Sequence, residues 1–306
     1  MAIKLNVTDC GTSIKGTGTL GCKVDINYLT QFFLLSSGTE FDLALDTLDQ
    51  AKIDELIQAG DMVVLPEHFS FTNEGGETVY EELPSGAKIP VRNGLYEFLI
   101  SYSSGICLSN ALASLNSKSW SILMSDFDDA GEARLWGEET SNGKFKGFDT
   151  NLVYAENRSL NDGSTSTKAP LRIQLSTKGT QAMRSRVSYL SSNDQLDIAN
   201  LDGVNDVNLT ATNLTAAAFS VSAVIGCDGS TNVTSATDVG NWRITNTANG
   251  TVENGYSIAL INGEYAITGL SAGDYDVEFY DEANSKGIIA VGGVYYDSDV
   301  LSVTLV

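Results

Sequence analysis

Basic residues, proline, histidine and cysteine are all scarce in this chain. Of its 306 residues only 18 are Lys or Arg against 39 Asp or Glu, a formal net charge of -21. A surface of that sign repels nucleic-acid phosphates and anionic lipid, so direct DNA binding and a membrane-surface role are not expected. No apolar run approaches the roughly 18 residues that a membrane-spanning helix needs, and the opening "MAIKLNVTDC" lacks an apolar signal-peptide segment, so export is not expected. The single histidine, His68, has no nucleophile elbow to serve, and Cys10, Cys22, Cys107 and Cys227 show no C-x-x-C spacing. The cysteines therefore read as reduced thiols, and a zinc site has no ligands to draw on.

Two motifs fail on their surroundings. "GTGTLG", Gly16 to Gly21, fits G-x-G-x-x-G, but no buried strand precedes it and no helix follows: Val24, Ile26 and Tyr28 alternate with polar residues at a strand's period of two. It reads as a glycine turn between strands. "DFDDAGEARLWGEE", from Asp126, places Asp128 and Gly131 where a calcium loop wants them, but Ala130 and Gly137 occupy positions that need oxygen ligands. An acidic turn is the expected structure there. No pair of carboxylates stands out for hydrolytic chemistry, so the expectation is a protein with no catalytic residues, no cofactor and no metal, and not an enzyme.

What is abundant is turn chemistry: 29 glycines against 4 prolines suit strands joined by tight turns. The expected fold is mainly β, with an N-terminal β-sandwich or barrel-forming domain over 1–205 and a C-terminal immunoglobulin-like β-sandwich over 206–306. One amphipathic helix is expected near 47–59, in "DTLDQAKIDELIQAG". There Leu48, Ala51, Ile53, Leu56 and Ile57 recur at helical spacing, Thr47 and Gln50 form a capping pair, and Gly60 stops the helix. "NEGGE" reads as the turn of a hairpin continuing into "TVYEEL", and "GICLSNALASLNSKS" offers a short second helix. Short strands fill the rest of 91–190, with hairpin turns at Asn142-Gly143 and Asp162-Gly163.

The stretch 191–217 is polar and rich in Asn, Asp and Thr, and marks the domain boundary. Beyond it short alternating strands recur at the rhythm of a sandwich, with a turn at Asn262-Gly263. "GLSAGDYDVEF" resembles the L-x-x-G-x-Y-x-V segment of immunoglobulin-like modules, with Leu270, Gly273, Tyr275 and Val277 in the matching places. The resemblance implies a tyrosine at a sheet corner with its hydroxyl on backbone, whereas a disulfide and core tryptophan of antibody type are not expected.

One charge asymmetry stands out. No acid falls between Asp162 and Asp194, while Lys168, Arg172, Lys178, Arg184 and Arg186 all do. A basic strip on an acidic protein can join copies head to tail, so these five are the candidate self-assembly residues, the alternative being a solvated strand face.

Taken together, "TDCGTSIKGTGTLG", the single helix among strands, "SILMSDFDDAGEARLWGEETSNGKFKGFDTNL" followed by "APLRIQLSTKGT", and "GLSAGDYDV" resemble virion structural proteins of tailed bacteriophages. Within these the chain is most similar to tail-tube proteins with an appended immunoglobulin-like domain. The resemblance implies assembly in the host bacterial cytoplasm into rings, usually hexamers, that stack into a virion tail tube beside other tail proteins. DNA would pass its acidic lumen without specific binding. The C-terminal domain, with 12 acids against Arg243 and Lys286, would sit outside, in weak contact with host-surface glycans. The alternatives are a capsid decoration or head-to-tail connector protein, and an adhesin or carbohydrate-binding module.

Overall fold

The computed structural model describes residues 26–42, 48–103, 106–140, 142–161, 163, 166–192, 196–226 and 231–306, together with the backbone of 6–7. The glycine motif 16–21, Thr47 and Asp162 lie outside these residues. The chain is mainly β, and it divides into two compact units: residues up to Ile53 with Asp61–Leu201, and Asp54–Gly60 with Asp202–Val306.

The first unit is organised around the strand Trp120–Phe127, which is buried at every position except Phe127. Along one edge it pairs with Leu29–Ser36, from Leu29 opposite Asp126 to Ser36 opposite Trp120. Two strands share its other edge. Ala133–Glu139 takes the C-terminal half as a hairpin partner, and the start of Phe148–Ala155 takes Ile122 and Ser121. Past a bulge between Thr150 and Leu152 that second strand leaves to found another sheet, continuing through Ala169–Leu175 and Glu97–Tyr102 to Ser70–Asn73.

The fork lets one sheet fold over the other, and the space between is filled from both. Phe32, Leu34, Trp120, Ile122 and Trp136 meet Phe98, Ile100, Leu171, Ile173 and Leu175, all under 4% exposed. Ala169–Leu175 alternates buried and half-buried positions, as a strand with one solvated face should.

The expected helix runs Gln50–Ala59. Its cap is Asp49, whose carboxylate accepts the Lys52 amide at 3.0 Å, and Gly60 ends it at φ 72°. The short second helix is Ile106–Ala113. A third, Thr177–Ser185, replaces the strand expected there: the Ser176 hydroxyl caps it by accepting the Gly179 amide at 3.0 Å. A Ser three residues before a tolerated glycine was the readable sign. Cys107 is disulfide-bonded, which corrects the expectation of a reduced thiol at that position.

"NEGGE" is not a turn. The strands Ser70–Asn73 and Glu97–Tyr102 continue, through a narrow crossing at 74–77 and 94–96, into a second ribbon made of Thr78–Glu82 and Lys88–Asn93. The real turn is 83–87, where the Leu83 amide donates to Ala87 O and Gly86 takes φ 80°. At the crossing the backbones run so close that a Cβ on Gly75 would collide with the Leu95 carbonyl, and one on Gly94 with that of Glu77. Gly94→Ala is therefore expected to distort this crossing while leaving the Trp120–Phe127 sheet intact. Chemical-shift mapping that showed changes confined to 74–97 would confirm it.

The second unit is a two-sheet sandwich. One sheet runs Ser257–Ile261, Glu264–Thr268, Ala218–Ile225, Val204–Thr212, with the hairpin Ile289–Val291 and Val294–Ser298 added in parallel to the last. The other runs Thr251–Val252, Trp242–Asn246, Gly273–Phe279, Leu301–Leu305. This is immunoglobulin-like strand order, and the Tyr275 hydroxyl donates to Ser271 O at 2.9 Å, closing the corner. A core tryptophan is present after all. Trp242 is buried against Tyr265 and Phe279, with ring centroids 4.9 and 4.6 Å away, and its indole N–H donates to Ala236 O at 2.8 Å.

Candidate assembly site

The ribbon Thr78–Asn93 pairs with no other strand among the described residues, and every described side chain from Val79 to Val91 is exposed. Five of them are large and apolar: Val79 (44% exposed), Tyr80 (57%), Leu83 (37%), Ile89 (48%) and Val91 (59%). Tyr80 lies opposite Pro90, and Glu81 opposite Ile89, so the register puts Tyr80 on one face and Ile89 on the other. A two-stranded ribbon wet on both faces is marginal by itself, and apolar residues gathered on such an element make it the candidate contact surface. We refer to this element as the arm.

The five candidate cations do not form one strip. Arg172, on Ala169–Leu175, holds three carboxylates: Glu74 at 2.7 Å, Glu156 at 2.5 Å, and Glu97. These bonds raise the arginine's pKa, with Glu156 foremost. The Gln174 amide, and then Arg172, hold Glu97 below the usual carboxylate range. Arg184, near the end of Thr177–Ser185, donates to the carbonyls of Gly76 at 3.2 Å and Gly94 at 3.3 Å, with its guanidinium over the Tyr96 ring. Arg172 and Arg184 thus converge on the root of the arm.

Arg186 goes elsewhere, to buried Glu138 at 2.5 Å, which Lys146 also approaches at 3.8 Å. Lys168 sits over the exposed Phe69 ring at 5.1 Å, and Lys178 lies exposed on the first turn of its helix. For Arg172, Arg184 and Arg186 the charge is therefore engaged within the subunit. Reversing Arg172 would set a fourth carboxylate among three, so its replacement by Glu is not a clean probe of contacts between copies.

The acidic turn is built as a turn. The Asp128 carboxylate accepts the amides of Ala130 and Glu132 at 2.8 and 2.9 Å. Asp126, fully buried, is met by Arg134 through Nε at 2.9 Å and Nη2 at 2.6 Å, by the Trp136 indole at 2.7 Å and by the Asn27 amide at 2.7 Å. Its four contacts come from protein donors, so the residue at the first calcium-loop position is the counter-ion of a buried arginine. Among the described residues no group of three or more His, Cys, Asp or Glu could hold a metal ion, and no helix is long and apolar enough to cross a membrane.

His68 sits among the rings of Tyr28, Phe32 and Phe71, at centroid distances of 5.6–6.1 Å, with neither ring nitrogen hydrogen-bonded. Burial holds its pKa below the ordinary value, and Glu67 and the Thr30 backbone oppose this more weakly. The neutral form is thus favoured in the folded state, and the unfolded chain binds the proton more readily. Stability supplied by His68 is full above its unfolded pKa of about 6.5 and declines as pH falls from there toward the folded value. Thermal unfolding between about pH 7 and 5.5 is expected to show a fall in Tm that His68→Phe removes.

In the second unit, no aromatic ring among the described residues is exposed: Trp242, Phe219, Phe279 and five tyrosines are buried and Tyr280 is half-covered. A sugar ring would find no stacking platform there. The sequence matches no protein-family model and no curated protein.

Proposed function

We propose that the chain is a structural subunit of a tailed-phage virion that assembles with copies of itself into rings, stacked as a tail tube around an acidic lumen. The observation that carries this reading is the arm: a ribbon with five exposed apolar side chains, paired with no other strand among the described residues. Copies of a chain with net charge -21 repel one another, so self-association needs an apolar contact that projects from the body. An arm that inserts into a neighbouring copy meets that need and covers both of its faces at once. The same negative charge suits a channel through which a phosphate backbone passes without being held.

Negative-stain electron microscopy of the full chain over a concentration series tests the reading. Long hollow tubes are expected. Isolated rings would favour a connector, and a strict monomer at every concentration would overturn self-assembly altogether.

A further inference from the structure

The arm joins its body through a crossing rich in glycine, Gly75 and Gly76 on the way out and Gly94 on the way back, with Tyr96 the ring that packs beside it. Such a joint would be a hinge if hydrogen bonds between the two strands were all that held it. Instead the body grips it from two sides. Arg184 bonds one carbonyl of each strand, Gly76 and Gly94, with a single nitrogen, while its guanidinium covers Tyr96. Tyr96 is itself fixed, its amide 3.3 Å from the Thr180 hydroxyl and its carbonyl accepting the Leu175 amide at 2.9 Å. Arg172 likewise joins Glu74 of the outgoing strand to Glu97 of the returning one, and ties both to Glu156 of the body.

We infer that Arg172 and Arg184 form a lock that fixes the direction in which the arm leaves the subunit, making them positioning residues for arm docking; this rests on the assembly reading above. Neither arginine is needed to fill the core. Arg172 keeps 26% of its side chain exposed, and the Arg184 contacts are all at the surface. What they supply is order in advance: an arm already aimed loses less conformational freedom when it docks, and that difference is read as affinity and rate. A free hinge would leave the apolar ribbon sweeping through solvent.

The test is trypsin cleavage of the arm, after Lys88 and Arg92, in the full chain below its assembly concentration, beside the half-time of assembly above it. Arg184→Gln keeps the side chain's length and loses the bridge between strands. Glu74→Gln changes only an exposed partner of Arg172, and decides the matter if the arginine variant lowers Tm. In both, arm cleavage is expected to quicken about fivefold or more while sites elsewhere keep their rates, as local opening without global unfolding requires. Assembly is expected to slow to a similar degree. Arg184→Lys, which keeps the charge without the fork, is expected to lie between wild type and Arg184→Gln. Unchanged arm cleavage in folded variants overturns the lock, whatever assembly does. Faster cleavage with unchanged assembly leaves the lock standing and overturns docking by the arm.

Discussion

Replacing Tyr80 and Ile89 together by aspartate is expected to abolish assembly at concentrations where the wild type forms tubes, and to leave the Tm of the subunit within a degree or two. Both side chains are about half exposed, at 57% and 48%, so the folded monomer owes them little. In a docked arm both would be buried, and each contributes about 2 kcal/mol through removal of apolar surface from water. Putting a carboxylate at each buried site adds a desolvation cost, so a loss of about 4 kcal/mol per arm is a lower bound, equivalent to about a thousandfold in dissociation constant. Because the two residues lie on opposite faces, the single variants separate the surfaces. If Tyr80→Asp alone blocks assembly and Ile89→Asp does not, only one face of the ribbon is covered. Sedimentation velocity over a concentration series reads the outcome, and normal tubes from the double variant would remove the arm from the interface.

Asp126→Asn is expected to have the largest effect on the stability of the first unit. The substitution keeps shape and volume but takes the Asp126 charge away from the buried Arg134 guanidinium, which is 7% exposed. Breaking one side of a buried ion pair costs about 3–5 kcal/mol, because the remaining charge stays desolvated. For a unit of this size that is a fall in Tm of roughly 10 °C. Arg134 also lies over Trp136 and Tyr189, at 4.9 and 5.4 Å from their ring centroids, so an apolar replacement there keeps much of the packing. The double variant Asp126→Asn with Arg134→Met is accordingly expected to recover part of the loss. A single variant as stable as wild type, by urea titration, would show that the pair is dispensable.

The elements legible in the sequence were those whose cause is local. The Gln50–Ala59 helix declares itself through Leu48, Ile53, Leu56 and Ile57, all buried, and through Gly60. The hairpin at Asn262-Gly263 does so through a dipeptide that takes positive φ at both residues, 52° and 86°. The Tyr275 corner is equally local, its bond spanning four residues. The Thr177–Ser185 helix was hidden because it is short, contains Gly179 and buries little beyond Ala182 and Thr180.

The arm was hidden for a different reason. Alternation in "TVYEE" reads as a strand with one dry face, and nothing in one chain's pattern distinguishes that from a ribbon with two wet ones. The Pro84-Ser85-Gly86 turn signal was there, and would have moved the hairpin's tip away from the glycines. The basic residues were visible as a run without acids. Their partners Glu74, Glu97 and Glu138 are 48 to 98 positions away, a separation that composition does not report.

The forked strand Trp120–Phe127 sets the pace of folding. Its whole first edge waits for Leu29–Ser36, more than eighty residues earlier, and its second is divided between a neighbouring hairpin and a strand that must then depart for another sheet. Loops of that size close slowly, and topologies dominated by distant pairings fold in milliseconds to seconds. In the second unit the strands pair within about a hundred residues of one another, and only Asp54–Gly60 comes from far away. Synthesised from the N-terminus, the chain therefore exposes Leu29–Ser36 until ribosomes have delivered Phe127, several seconds at ordinary elongation rates of about 5–20 residues per second. Throughout that interval Phe33 to Leu35 can pair only with Met62–Val64, and the edge meant for Trp120–Phe127 stays open.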